Sequence, residues 1–238
     1  MVSQDEIKAK NFGNSTDDQY GDVRDEERLR ATIRKHQNRT VDNFVLDVSE
    51  STPAVKTALV IPSLIYGQGN GPGNQRSIQI PELARIALGR KRAVRIGAGA
   101  NIWSNVHISD LSSLLVSLVE SAISGSDDKR IWGSSGLFFA GASPGINFAS
   151  AVKQIATAAY DSHSLPDTEV DEISASEADK LSPHASAIVG TNARTLSERA
   201  QEVLEWKPQG PSLEDEIPPT VKVEIERLKG IREHRSSI

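Results

Sequence analysis

A chain of 238 residues, 37% hydrophobic and 25% charged, is long and apolar enough to bury a sizeable core as one large domain or two small ones. Its formal net charge of -5, without a concentrated basic face, argues against nucleic acid as a partner. Zero cysteines exclude a disulfide framework, thiolate zinc sites and a cysteine nucleophile, and the absence of a long apolar stretch argues against a membrane partner, so a cytoplasmic location is expected.

Residues 1–20 are rich in Asp, Asn, Gln and Ser with almost no apolar periodicity, and read as a polar tail or loop. A charged helix follows from about Asp22 to His36, with Leu29 and Ile33 on one face. Thr40 is placed to cap a second helix whose Val41, Phe44, Val45 and Val48 fall at i, i+3, i+4 and i+7, the spacing of a core-facing stripe. Pro53 ends it. Thr57 to Ile61 is short, β-branched and apolar, which suits a buried parallel strand.

Beyond the loop from Gly67 to Gly73, the pattern predicts a helix over about 77–88, a strand Ala93 to Ile96, and an amphipathic helix capped by Asp110 with Leu111, Leu114, Leu115, Leu118, Val119 and Ala122 on one stripe. Leu137 to Ala140 reads as another buried strand. Helices are then expected from Asn147 to Tyr160, after a capping box at Ser174 with Glu177, from Ala193 to Glu205 and from Pro219 to Lys229. The loop Tyr160 to Asp171 and the tail after Gly230 read as mobile. Alternating strands and helices imply an α/β sheet with covering helices. The segments 1–20, 21–140 and 141–238 are expected to be a polar tail, a sheet-bearing part with an excursion at 67–106, and a mostly helical part.

Two glycine runs, Gly67 to Gly73 and Gly97 to Gly99, lack the spacing of a dinucleotide loop, because Pro72, Asn74, Arg76 and Ile102 stand where its last glycine belongs. Both read as turns. Gly141-Ala142-Ser143-Pro144-Gly145 matches a hydrolase elbow, but Pro144 has no N–H to offer an oxyanion, so a strand-to-helix turn is the better reading. Five histidines show no metal-ligand spacing, and no metal site is assigned.

Pro62-Ser63-Leu64-Ile65-Tyr66-Gly67 after an apolar run, the segment Gly67 to Pro81, Ile96 to Gly99, Trp103 to Leu111, Gly190 to Arg194 and Leu204 to Pro208 together resemble, in order, elements of the extended short-chain dehydrogenase/reductase superfamily, closest to fungal members of the NAD-dependent epimerase/dehydratase type. The resemblance implies an α/β fold with a partial Rossmann-type parallel sheet and a C-terminal, mostly helical substrate subdomain. It also implies NAD or NADP as cofactor, and oxidoreduction or epimerisation/dehydration of a hydroxylated, sugar-like small molecule. The alternative is a non-catalytic relative that binds a small molecule or a protein. In the family this strand lies long after the phosphate-binding loop, whereas here it starts near residue 58; the chain is therefore expected to lack the N-terminal dinucleotide-binding half, to bind NAD(P) poorly and to be weak or inactive alone.

Carried onto this sequence, the resemblance places Pro62, Ser63 and Ile65 at the nicotinamide edge, and Tyr66, Asn74, Gln75, Asn105, His107 and Arg194 on the substrate side. His107 also reads as a residue that orients the start of the helix capped by Asp110, Arg194 as a surface helix residue, and Trp103 and Trp206 as packing. A superfamily Tyr-x-x-x-Lys pair has its nearest match in Tyr20 and Arg24, where Arg replaces Lys and acidic neighbours oppose a tyrosinate. If retained for substrate, Tyr66, Asn105, His107 and Arg194 should converge on one concavity. The strand Thr57 to Ile61 should lie at an open sheet edge, which invites self-association.

Overall fold

In chain order the computed structural model, which describes residues 4–236 without the side chains of 142–144 and 232–236, runs α1 (Gln4–Ala9), β1 (Tyr20–Gly21), α2 (Glu26–Lys35), α3 (Thr40–Ser51), β2 (Leu59–Pro62), β3 (Leu64–Tyr66), α4 (Gln79–Arg90), β4 (Ala93–Ile96), β5 (Ile102–His107) and α5 (Ile108–Ile123). It continues through β6 (Leu137–Ala140), β7 (Ala142–Asn147), α6 (Phe148–Asp161), β8 (Val170–Ile173), α7 (Ala175–Leu181), α8 (Ala185–Gly190), β9 (Thr195–Leu196), α9 (Glu198–Leu204) and α10 (Leu213–Ser236). The result is a mixed α/β chain with short, mainly parallel sheets and a helical C-terminal part.

The apolar residues of β6 are buried on both of its faces. Leu137 and Phe139 point to one face, against Leu29 and Ile33 of α2 and Leu46 of α3; Phe138 and Ala140 point to the other, against Leu111, Leu114 and Leu118 of α5 and Ala200 of α9. A strand covered on both faces reads as a continuous apolar run, as this one does. β2 pairs in parallel with β6, Leu59 opposite Leu137 and Pro62 opposite Ala140, and has no second strand partner among the described residues. The expected open edge is therefore present, but the chain's own helices cover both faces, and Pro62 removes one N–H from that edge.

At Ser63 the chain changes partners. Beyond β2 the chain leaves β6 and, as β3, pairs in parallel with β5, Leu64 opposite Asn105 and Tyr66 opposite His107. β6 ends at the same level, and after Gly141 the chain continues as β7, antiparallel to β5. Three short contacts bridge the divide: the Ser63 amide donates to the Ala140 carbonyl (2.9 Å), the Gly141 amide donates to Ser197 Oγ (2.8 Å), and the Ser63 and Thr195 hydroxyls lie 3.0 Å apart. A Cβ on Gly141 would sit 2.5 Å from Ser63 Oγ, so any larger residue would have to displace that hydroxyl from Thr195.

Asp22, fully buried, ties the N-terminal part to this junction. Its carboxylate accepts from the amides of Phe139 (2.7 Å), Glu198 (2.8 Å) and Arg199 (3.0 Å). The largest core lies beyond the junction, where Leu64, Tyr66 and Trp103 pack with α4, α6 and the buried face of α10, which includes Leu213, Ile217 and Val221.

Several expectations change. Residues 1–20 are not a bare tail: α1 forms, and Glu6 accepts from the Asn192 amide at 2.8 Å. Thr40 does not cap α3, whose cap position is Arg39. The face α3 buries is Asn43, Leu46 and Ser49, leaving Val41 and Phe44 exposed, because Asn43 Nδ2 donates to the carbonyls of Ile33, His36 and Arg39 and so closes the end of α2. α5 likewise leaves Leu115 and Val119 in solvent. Residues 142–147 form β7 where a turn directly into a helix was expected, the side chains of Ser143 and Pro144 lying outside the described residues. The segment expected to be a helix from Ala193 contains β9 before α9, β8 begins inside the loop read as mobile, and α10 runs past Gly230. Ala93 to Ile96, Leu137 to Ala140 and the Ser174/Glu177 capping box stand as expected.

Candidate functional site

Where β2 and β3 change partners, a crevice opens at the carboxyl end of β3, the place where diverging strands of an α/β sheet leave room for a ligand. Its inner chamber, about 300 Å³, is lined by Ser63 and Ile65 of the diverging strand, by Asn74, Gln75 and Arg76 of the following loop, and by Ile108 at the start of α5. Ser63, Ile65 and Gly67 line it because alternate residues of a strand share a face, while Leu64 and Tyr66 turn the other way into the core. An outer chamber of about 500 Å³ lies across the same loop, walled by Pro219, Thr220 and Val223 of α10. The two share Gly67, Asn74, Gln75, Arg76 and Ser77.

The loop holds itself in shape. Asn74 Oδ1 accepts from the Arg76 amide (3.2 Å), Gln75 Nε2 donates to the Gly71 carbonyl (2.9 Å), and the Gly69 amide donates to the Gln75 carbonyl (3.0 Å). Arg76 forks onto Glu224, Nε to Oε1 at 2.7 Å and Nη2 to Oε2 at 3.2 Å, which pins the loop to α10. Glu224 is only 2% exposed, so breaking the fork would leave a buried carboxylate without its nearest cation. Glu82, 3.6 Å from Arg76, is held below its usual carboxylate range by its bond from Arg85.

Four of the expected site residues, Ser63, Ile65, Asn74 and Gln75, thus meet in the inner chamber, and Pro62 lies exposed just before them. The others are elsewhere. Tyr66 is buried, its ring edge-on to His107 with centroids 5.4 Å apart, and its hydroxyl donates to the Pro211 carbonyl at 2.7 Å. Burial first, then the carboxylate of Asp110 and the acidic start of α10, push its pKa to about 12. It is thereby kept protonated and committed to a carbonyl, which is no setting for a general base.

His107 occupies the cap position of α5: the Ser109 amide donates to its Nδ1 at 3.3 Å, and the Ser109 hydroxyl lies 2.6 Å from the same nitrogen. Asp110, read as that cap, is instead buried one turn in, where its carboxylate accepts from the amides of Gln209 (2.8 Å) and Gly210 (3.0 Å). Asn105 is buried in β5 opposite Leu64. Arg194 lines a separate groove of about 90 Å³ with Tyr20 and Asn192, and its Nη1 donates to the Thr16 carbonyl at 2.8 Å. The expected convergence of Tyr66, Asn105, His107 and Arg194 on one concavity is not what the geometry gives.

Nor do Tyr20 and Arg24 pair. The guanidinium of Arg28, not Arg24, covers the Tyr20 ring at 4.0 Å, and Arg24 pairs with Glu198 at 3.2 Å. The residues sequence reasoning missed are Arg76, Glu224 and the α10 wall. Arg76 was visible inside the loop, but nothing local announces a partner 148 residues away.

As a receptacle for a dinucleotide, the chamber at Ser63 and Ile65 has room for a ring-sized head group, while no G-x-x-G-x-x-G occurs in the 238 residues to present amides to a pyrophosphate. Among the described residues no helix is long and apolar enough to cross a membrane, and no cluster of His, Cys, Asp or Glu could hold a metal.

No protein-family model matches the chain. Over 230 residues it is 32% identical to oxidase ucsJ of Acremonium sp, covering 94% of this chain and 66% of that protein. Among solved structures, a dTDP-glucose 4,6-dehydratase from Streptomyces venezuelae with NAD and TYD bound superposes with a TM-score of 0.54 at 13% identity, over 91% of this chain and 57% of that one. A UDP-glucose 4-epimerase from Thermotoga maritima with UDP-glucose superposes at 0.52 and 15% identity, over 80% and 52%. The chain thus spans less than two thirds of the curated relative it matches and about half of these solved structures.

Proposed function

We propose that this chain, which shares its fold with nucleotide-sugar epimerases and dehydratases, belongs to the extended short-chain dehydrogenase/reductase superfamily, and that its crevice is the nicotinamide and substrate side of an oxidoreductase or epimerase/dehydratase site for a hydroxylated small molecule. The observation that carries the reading is the meeting of Ser63 and Ile65 with Asn74 and Gln75 in one chamber where β3 leaves β2. When bound, NAD or NADP would supply hydride exchange. The chain's own residues would receive the ring edge on Ser63 and Ile65, and orient the substrate from the loop.

A second reading, binding without catalysis, is favoured by one specific arrangement. The Tyr66 hydroxyl is committed to Pro211, and Tyr20 lies under Arg28, so neither tyrosine has a lysine partner that would make it a proton-transfer group. The test is calorimetry with NAD and NADP, together with mapping of amide shifts around Ser63 and Ile65. We expect binding weaker than about 1 mM, corresponding to about 4 kcal/mol, with shifts confined to the inner chamber. Saturating shifts elsewhere on the chain would defeat the assignment, and micromolar affinity would defeat the expectation of weak binding.

A further inference from the structure

The outer chamber carries a charge pattern that its inner neighbour does not. Two guanidinium groups line it, and both already face one carboxylate: Arg76 is forked onto Glu224 at 2.7 and 3.2 Å, and Arg227 Nη1 lies 3.8 Å from Glu224 Oε1. Glu224 is 2% exposed, and Glu82 of α4 stands 3.6 Å from Arg76. Glu216, in the acidic first turn of α10, adds another carboxylate to the lining. The wall between these groups is apolar and rigid, made by Pro81, Pro219 and the half-exposed Val223.

We propose that this chamber selects an uncharged, partly apolar hydroxylated substrate and disfavours a nucleotide-diphosphate sugar; the proposal rests on the reading of the crevice as the substrate side. A diphosphate needs unengaged cations, ideally an arginine fork. Here a diphosphate could take Arg76 only by leaving the buried Glu224 with the looser Arg227 contact alone, and the carboxylates around the chamber oppose a second negative charge. An uncharged molecule meets no such opposition. It covers Pro81, Pro219 and Val223 and reaches the polar loop at its other end, and about 500 Å³ accepts a ligand of ordinary small-molecule size. The solved structures with UDP-glucose and with TYD bound share the fold, but a shared fold does not carry a shared ligand.

The experiment follows the methyl resonances of Val223 and Thr220 in the 238-residue protein during separate titrations with geraniol, an uncharged apolar alcohol, and with UDP-glucose at one ionic strength. Geraniol is expected to shift both methyls, with UDP-glucose at least tenfold weaker. Val223→Asp, at a half-exposed position that folding tolerates, should weaken geraniol at least tenfold. Glu224→Gln, which releases Arg76, should narrow the gap between the two ligands at least tenfold. UDP-glucose binding at these methyls as tightly as geraniol would overturn the substrate class and leave the crevice assignment standing. Silence of both methyls toward both ligands, or geraniol binding unaffected by Val223→Asp, would overturn the crevice assignment and the proposal together.

Discussion

The Tyr66 hydroxyl donates a 2.7 Å hydrogen bond to the Pro211 carbonyl, so the last residue of β3 is fastened to the segment that enters α10. One strand end therefore sets both walls of the crevice: its own alternate residues line the inner chamber, and its hydroxyl fixes the helix that closes the outer one.

Tyr66→Phe removes that bond and leaves the Pro211 carbonyl without the hydroxyl, at an expected cost of about 1 kcal/mol in urea unfolding at neutral pH. The pH dependence should change with it. Burial raises the folded-state pKa from 10.0 to about 12, so the folded protein keeps a proton that the unfolded chain releases. The stability this contributes is complete below pH 10 and is lost as pH rises through about 12. Phe at this position should flatten the curve in that window, and an unchanged alkaline slope would count against the assignment.

Asp22→Asn should act at the acid end. Burial outweighs three amide donors and raises the Asp22 pKa from 3.8 to about 6. The folded state thus binds the proton more tightly than the unfolded chain, and the corresponding stability is full below about pH 4 and falls as pH rises through about 6. Asparagine offers one acceptor oxygen where the carboxylate used two, so a loss of about 2 kcal/mol at pH 7 is expected. Unfolding measured from pH 4 to pH 7 should show a shallower slope than in the parent.

Gly67→Ala tests how tightly the crevice is built. Gly67 has a φ of +84°, and a Cβ there would lie 2.3 Å from His107 Nε2. The backbone alone should cost about 1–2 kcal/mol, and displacing His107 should loosen the cap of α5 for about 1 kcal/mol more. In the double variant with His107→Ala the two losses should fall short of additivity, because the collision is gone. Strict additivity in thermal unfolding would show that ring and methyl do not meet.

Arg76→Ala strands the buried Glu224 and should destabilise the chain by about 2 kcal/mol, moderated because Arg76 is itself partly exposed. Pairing it with Glu224→Leu removes the charge as well as the partner and should recover most of the loss. A double variant no more stable than Arg76→Ala would mean that Glu224 is held by something other than the fork.

The strands legible in the sequence were those whose burial is written in apolar residues. Leu137 to Ala140 and Ala93 to Ile96 are short apolar runs between breakers, and both form as read. β5 was hidden because its buried centre includes Ser104 and Asn105, hydrophilic residues that signal a loop until the hydroxyl of Ser104 is seen donating to the Thr195 carbonyl. The face of α3 was misread for a related reason: Asn43 is drawn inward by the end carbonyls of α2, and hydrogen bonding overrides the apolar stripe. At the crevice, Ser63, Ile65, Asn74 and Gln75, which the resemblance singles out, line one chamber. The inward turn of Tyr66 follows from strand alternation, and could have been read from Ile65 and Tyr66 being adjacent. The fork between Arg76 and Glu224 spans too much chain for any local pattern to reveal.

The exchange of partners at Ser63 and Gly141 also fixes an order of events during synthesis. The hydroxyl contact that closes the divide joins Ser63 to a residue 132 positions later, and the Gly141 amide waits for Ser197, 56 positions on. A nascent chain emerging from the ribosome amino end first can pair β3 with β5, and β2 with β6 once residue 140 is out, but the contacts that bridge the divide wait until β9 and Ser197 arrive. The junction behind the crevice is therefore closed only by residues that emerge late, Thr195 and Ser197, though they line neither chamber.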